Sequence, residues 1–129
     1  MTDKQMEHNS EACLQSIVAV RDTLYVLSGK WKLPIIIALS SGTKRFKDLQ
    51  RSLADITPKI LSKELKDLEL NEFVTRTVYA TSPVTVEYAL TKYSKSLNNI
   101  IDEMRVWGLQ HRKRIMNSSR KNKKALLEA

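Results

Sequence analysis

The 129-residue chain has a single cysteine, Cys13, so no intrachain disulfide framework is open to it, and a reducing compartment is expected. Three glycines and three prolines leave little to interrupt long helices. Long apolar runs are absent. The most apolar stretch, Leu33 to Leu39, falls far short of the roughly 20 residues that span a bilayer. The opening MTDKQMEHNSEA is polar and mixed in charge, which does not read as a secretory signal, so a cytoplasmic protein is expected. A glycine-rich phosphate loop and a nucleophile elbow are also missing. One cysteine and two histidines, His8 and His111, cannot build a structural zinc site. A Cys–His pair is all the chain offers for nucleophilic chemistry. No catalytic residue, metal or cofactor is expected, and the chain is not expected to be an enzyme.

What the chain does have is 42% apolar residues, enough for one modest core, and a net charge of +8. Seven of those charges come from Arg112, Lys113, Arg114, Arg120, Lys121, Lys123 and Lys124, a stretch without a single acid. The remainder of the chain is nearly neutral. A nucleic-acid partner therefore has to be argued from where the other cations lie, not from the total.

The periodicity predicts a loose leader over 1–12 and then a first helix from Leu14 to Leu27, with Ile17, Val20 and Leu24 on one face. Ser28-Gly29 breaks it. Trp31 to Ser40 reads as a short second helix, apolar almost all round and so largely buried. After the turn Ser41-Gly42-Thr43, a third helix is marked by Phe46, Leu49 and Leu53. Ala54-Asp55-Ile56 separates it from a fourth, about 58–71, which opens with the capping hydroxyl of Thr57 and Pro58 at the first helical position. The core face of this fourth helix is Leu61, Leu65 and Leu68. The period then changes from helix to strand. Phe73 to Tyr79 and Val84 to Leu90 are two strands joined by Ala80-Thr81-Ser82-Pro83. Thr91 is expected to cap a long last helix with an apolar stripe of Leu97, Ile100, Ile101, Met104 and Trp107, fraying into the basic tail over 112–129. Two helices joined by a short turn and followed by a hairpin make a winged helix–turn–helix, so the fold class expected is mainly α with a small β-hairpin wing. The first and last helices are too apolar for plain surface helices.

Opposite the leucines of the fourth helix, Lys59, Ser62, Lys63 and Lys66 share one face at i, i+3, i+4 and i+7. Such a helix can enter a major groove, where lysine meets guanine acceptors or phosphate and Ser62 reaches either. Its N-terminus, beside Thr57, favours a phosphate. Arg45 and Lys47, at the opening of the third helix, and Arg51, a turn on, are candidate backbone contacts, although a solvated amphipathic face explains Lys47 equally well. Arg76 either supports the wing or pairs with Glu87 across the strands. At the wing tip only Thr81, Ser82 and backbone N–H groups are available to DNA, since Ala80 to Val84 carries no cation.

Several motifs in register carry a resemblance. Gly29-Lys30-Trp31-Lys32, Gly42-Thr43-Lys44-Arg45-Phe46-Lys47-Asp48-Leu49, Ile56-Thr57-Pro58-Lys59-Ile60-Leu61-Ser62 with Leu65 and Leu68, and Ser82-Pro83 followed by Val86-Glu87-Tyr88-Ala89-Leu90-Thr91 resemble the HxlR-type winged-helix regulators of bacteria. That family is related in architecture to the MarR-type regulators. The resemblance spans about 13–111. It implies a homodimer built by the first and last helices, with Ile17, Val20, Leu24, Leu97, Ile101, Met104 and Trp107 at the interface. It also implies a pseudo-palindromic double-stranded operator and, usually, repression of nearby genes. The chain departs from the family at Leu14, where proline commonly follows the cysteine, and at Asn71-Glu72 and Ser94, where glycines are common.

Cys13 stands where some such regulators sense oxidants or small electrophiles, which makes it the candidate redox sensor. Glu11 nearby disfavours a thiolate, and a small apolar side chain packed at a helix start explains the residue as well. Tyr25, Trp31 and Trp107 are the aromatics available to a small-molecule effector, or simply to core packing. A winged-helix module that binds protein and not DNA is the competing class. The neutral body and the uncharged wing tip fit it, and the aligned lysines do not. The basic tail either touches flanking phosphates or solubilises a helix end; a membrane role is not expected without a continuing apolar face.

Overall fold

The computed structural model describes residues 10–128. Helix α1 (Ser10–Leu27) is followed by α2 (Lys32–Leu39), a two-residue strand β1 (Lys44–Arg45), α3 (Phe46–Ser52), α4 (Pro58–Leu70), β2 (Val74–Tyr79) and β3 (Thr85–Leu90). A 3-10 turn (Tyr93–Leu97) then leads into α5 (Asn98–Glu128). The chain divides into two units between Tyr93 and Ser94. Most of the expected leader, with His8, lies outside the described residues, and Ser10 to Ala12 already belong to α1.

In the first unit the core is made by α2, α3, α4 and the sheet. Ile35, Ile36 and Leu39 of α2, Leu49 of α3, and Leu61, Leu65 and Leu68 of α4 are all buried, as their helical spacing requires. Ile56, in the turn between α3 and α4, is buried with them, while Ala54 takes the positive φ that reverses the chain there. The Thr57 hydroxyl accepts a hydrogen bond from the Ile60 N–H at 3.3 Å, and Pro58 occupies the first helical position.

The other end of α4 closes in a paired-bond motif. Phe73 N–H donates to the Leu68 carbonyl at 2.9 Å and Glu72 N–H to Glu69 at 3.0 Å, with Glu72 at φ 66°. Glycine is the usual residue at such a position. Glutamate holds it at a cost of about 1 kcal/mol. The Thr91 hydroxyl donates to the Glu72 carbonyl at 2.6 Å, tying the exit of β3 to the exit of α4.

The sheet has three antiparallel strands in the order β1-β3-β2, where two were expected. A two-residue strand has no periodicity to read, and β1 exists only through its pairing with β3, Lys44 opposite Tyr88 and Arg45 opposite Glu87. Arg45 therefore ends a strand just before α3 and does not open the helix itself. Val84 belongs to the turn, so the β2–β3 register runs Tyr79 opposite Thr85 and Arg76 opposite Tyr88. That one-residue shift overturns the expected Arg76–Glu87 pairing, because Glu87 lies opposite Thr77. Tyr88 is the buried residue of β3, in tilted contact with Phe46 at 6.5 Å between ring centres. Farther out, Val78, Tyr79 and Val84 are exposed, and the hairpin leaves the core as a wing.

In the second unit the 3-10 turn precedes the long helix, which starts at Asn98, later than its expected start after Thr91. Its 31 residues make a rod of about 46 Å that continues as helix through the whole basic stretch, with no frayed tail before Glu128. Leu97 lies in the 3-10 turn and is only 6% exposed. It is already covered, and so it drops out of the stripe expected to meet a partner helix.

Candidate DNA-binding interface

Helix α4 carries two opposed chemistries. Leu61, Leu65 and Leu68 are buried, and on the remaining surface Lys59, Ser62, Lys63 and Lys66 are all exposed. The same helix carries Glu64, Asp67 and Glu69, so it is formally neutral, and a neutral helix has no reason to attract a phosphate. The charges are, however, segregated. Lys32, projecting from the otherwise apolar α2, places its Nζ 2.7 Å from Glu64 Oε2 and 3.5 Å from Asp67 Oδ2. Lys32 is 9% exposed. Burial lowers its pKa, but the hydrogen bond it donates to Glu64 and the charges of Glu64 and Asp67 outweigh this, and the ammonium is held above its ordinary 10.5. Two of the three acids of α4 are thus neutralised from behind. Among the described residues, no acid stands within ion-pair distance of Lys59, Lys63 or Lys66.

Where α4 meets the wing, Ser62, Lys66, Glu69, Arg76 and Tyr88 line a groove of about 280 Å³. The structure thereby brings three residues expected to contact DNA, Ser62, Lys66 and Arg76, onto one surface. Lys47 is exposed in the first turn of α3. Arg51 is exposed and shared with Asp48 at 3.4 Å, a surface pair weak enough to yield to a phosphate. Thr57 is exposed at the start of α4, its hydroxyl oxygen occupied by the cap. Thr81 and Ser82 sit at the exposed wing tip. The Thr81 hydroxyl is engaged within the turn, 2.6 Å from the Pro83 carbonyl and 3.0 Å from Thr85 Oγ1, which leaves it less free to serve DNA.

Sequence reasoning missed Lys32, Glu64 and Asp67 as a group. The signal was present: one lysine in an eight-residue helix otherwise made of apolar residues. A charge placed there must find a buried partner or swing out to water.

A second surface lies on the flanking helices. Of the 18 residues of α1 only Leu27 is buried, while Ile17, Val20 and Leu24 are exposed, Leu24 at 60%. None of the 31 residues of α5 is buried. Met104 and Trp107 are exposed, Ile101 is half-covered, and Trp107 stacks on His111 at 4.8 Å. Cys13, in the first turn of α1, is half-buried. Among the described residues, no three His, Cys, Asp or Glu gather to hold a metal ion, and no helix is long and apolar enough to cross a membrane.

A short turn between two helices, a second helix presenting lysines to solvent, and a hairpin behind it define a winged helix–turn–helix of the kind found in transcriptional regulators. Residues 26–116 match the HxlR-like helix-turn-helix family, and the chain belongs to that family. It is 40% identical over 98 residues to the HTH-type transcriptional regulator YtcD of Bacillus subtilis, covering 76% of this chain and 78% of that protein. It is 35% identical over 119 residues to YybR of the same organism, covering 92% and 90%. Among solved structures, the redox regulator HypR in its reduced form superposes with a TM-score of 0.72 at 35% identity, over 77% of this chain and 98% of that one. The protein is a transcriptional regulator with an HxlR-like helix–turn–helix domain.

Proposed function

We propose that the chain acts as a homodimeric repressor that lays α4 in the major groove of a pseudo-palindromic operator, in the cytoplasm. The observation that carries this reading is the acid-free lysine face of α4. Lys59, Lys63 and Lys66 stand exposed with Ser62, while Glu64 and Asp67 of the same helix are drawn away by Lys32. Lysines at this spacing, ahead of a wing and behind a capped N-terminus, fit bases and phosphates across one groove. The exposed apolar faces of α1 and α5 support the dimer, since apolar rows of this length in water mark a surface that a partner covers. Two copies related by a two-fold axis would present two recognition helices to two half-sites.

The test is an anisotropy titration against the DNA beside the protein's own gene, with random-sequence duplex as control. The wild type is expected to bind the first more tightly, and a Lys59→Ala/Lys63→Ala/Lys66→Ala variant to lose that preference. Equal binding of both proteins to both duplexes would point to a winged-helix module for a protein partner instead.

A second reading concerns the signal and is favoured by the likeness to HypR, whose reduced and oxidised forms are both among the similar structures. An oxidant such as diamide, taking up two electrons and two protons, would join the Cys13 thiols of two protomers and shift the DNA-binding heads. Loss of DNA binding under diamide in the wild type but not in Cys13→Ser supports this reading. An equal response of the two proteins sinks it.

A further inference from the structure

The densest charge in the molecule lies on α5. Between Arg112 and Lys124 there are seven Lys and Arg and no acid, and every one of the seven is exposed. At 100° per residue they occupy an arc of about 200°. The opposite face, His111, Ile115, Ser118, Ser119 and Asn122, is uncharged.

Three plain explanations for such a cluster fail here. Cations stabilise a helix dipole only in the last turn, and the last turn of α5 has none. Salt bridges do not organise it: among the described residues its one ion pair is Lys124 with Glu128, at 3.9 Å and largely in solvent. Nor does the arrangement favour the helix itself, because Lys123 and Lys124 stand at i+3 and i+4 from Arg120, and Lys124 at i+3 from Lys121, spacings at which like charges repel. Family membership does not account for the densest part either, since Arg120, Lys121, Lys123 and Lys124 all lie beyond the matched residues 26–116.

The spacing does suit a polyanion. Thirteen helical residues extend about 18 Å, which gives roughly one positive charge per 2.6 Å, against one phosphate per about 1.7 Å of duplex. We infer that Arg112–Lys124 of α5 is a second, sequence-independent surface for duplex DNA, gripping phosphates that flank the site read by α4. The inference rests on the DNA-binding reading above and deepens it. The protein would then have two contributions to affinity, one that discriminates sequence and one that only counts phosphates.

The test replaces charge and keeps the helix: Arg120→Gln/Lys121→Gln/Lys123→Gln/Lys124→Gln in the full chain, with unchanged helicity checked by circular dichroism. Wild type, this variant and the α4 triple-alanine variant are titrated against random-sequence duplex and against the DNA beside the protein's own gene, over roughly 0.05 to 0.2 M salt. For the glutamine variant, the slope of log affinity against log salt is expected to shrink by about 0.9 for each phosphate that the protein no longer neutralises, and affinity for both duplexes to fall at least about tenfold near 0.15 M salt. An unchanged slope and affinity overturns the inference. If only the α4 variant is then impaired, the regulator reading stands without it. If the glutamine variant weakens on both duplexes while the α4 variant binds as wild type, the inference holds and the recognition-helix reading falls. Wild-type binding to vesicles of anionic phospholipid that the glutamine variant loses, with no change on DNA, would replace DNA by a membrane surface.

Discussion

Helices α4 and α5 are built from similar residues, leucines or other apolar side chains alternating with lysine and arginine, and the fold treats them in opposite ways. In α4 every leucine of the core face is buried and two of the three acids are neutralised by Lys32, so the helix is finished within one chain and its lysines are what it has left to offer. In α5 nothing is buried along 31 residues, and Met104 and Trp107 face water as openly as the cations farther along. The difference teaches that amphipathic patterning states only that a face will be covered, not by what. For α4 the cover is intramolecular; for α5 the proposed cover is a second copy over its first half and, on the inference drawn for Arg112–Lys124, DNA over its second.

This contrast can be broken from either side. The largest effect is expected at the exposed face of α4. Loss of Lys59, Lys63 and Lys66 together should weaken binding to the own-gene DNA by at least about a hundredfold, at roughly 1 kcal/mol or more for each lysine. Thermal stability should change little, because none of the three has an ion-pair partner among the described residues. A drop in affinity that merely tracks unfolding in a melting experiment would count against the interface.

Next comes the buried side of the same helix. Lys32→Met leaves Glu64 and Asp67 uncompensated and should cost about 2–4 kcal/mol in denaturant unfolding. On the proposed role of α4 it should weaken DNA binding too, because two acids are then unmasked on that helix. The sign of the pH dependence follows from the raised pKa. A cationic group bound more tightly in the folded state contributes its full stability below its unfolded pKa and loses it as pH rises through the folded one. The stability gap between wild type and Lys32→Met should therefore be flat from neutrality to about pH 10 and close above 10.5. A gap that closes nearer neutrality would mean that another group carries the effect.

The smallest of the three is on α5. Trp107→Ala should weaken self-association by about 2 kcal/mol, roughly thirtyfold, if the exposed ring is an anchor of the dimer. Sedimentation equilibrium reads this directly, and an unchanged association constant would move the interface away from the stripe of α5.

Much of the architecture was legible beforehand, for a physical reason. Helical period is a local property: Leu61, Leu65 and Leu68 announce one face of α4 from spacing alone, and Thr57-Pro58 announces its start because capping needs only neighbours in the chain. The lysine face of the candidate site follows from that same spacing. Register was not legible to the same degree. Whether Val84 lies in the strand or in the turn shifts the pairing by one residue, and that decided that Arg76 faces Tyr88 and joins Ser62 and Lys66 on one groove while Glu87 faces Arg45.

By itself, the sequence determined the order of the helices and the hairpin, the core face of α4 and the lysines left on its other face, because all of these depend on short-range geometry. Only the tertiary structure decided the third strand, the burial of Leu97, the unbroken length of α5 and the clamp of Lys32 on Glu64 and Asp67. Lys32 and Glu64 are 32 residues apart, and no local rule pairs them. They meet because the apolar faces of α2 and α4 share one core, and a charge carried into that core must meet its opposite there.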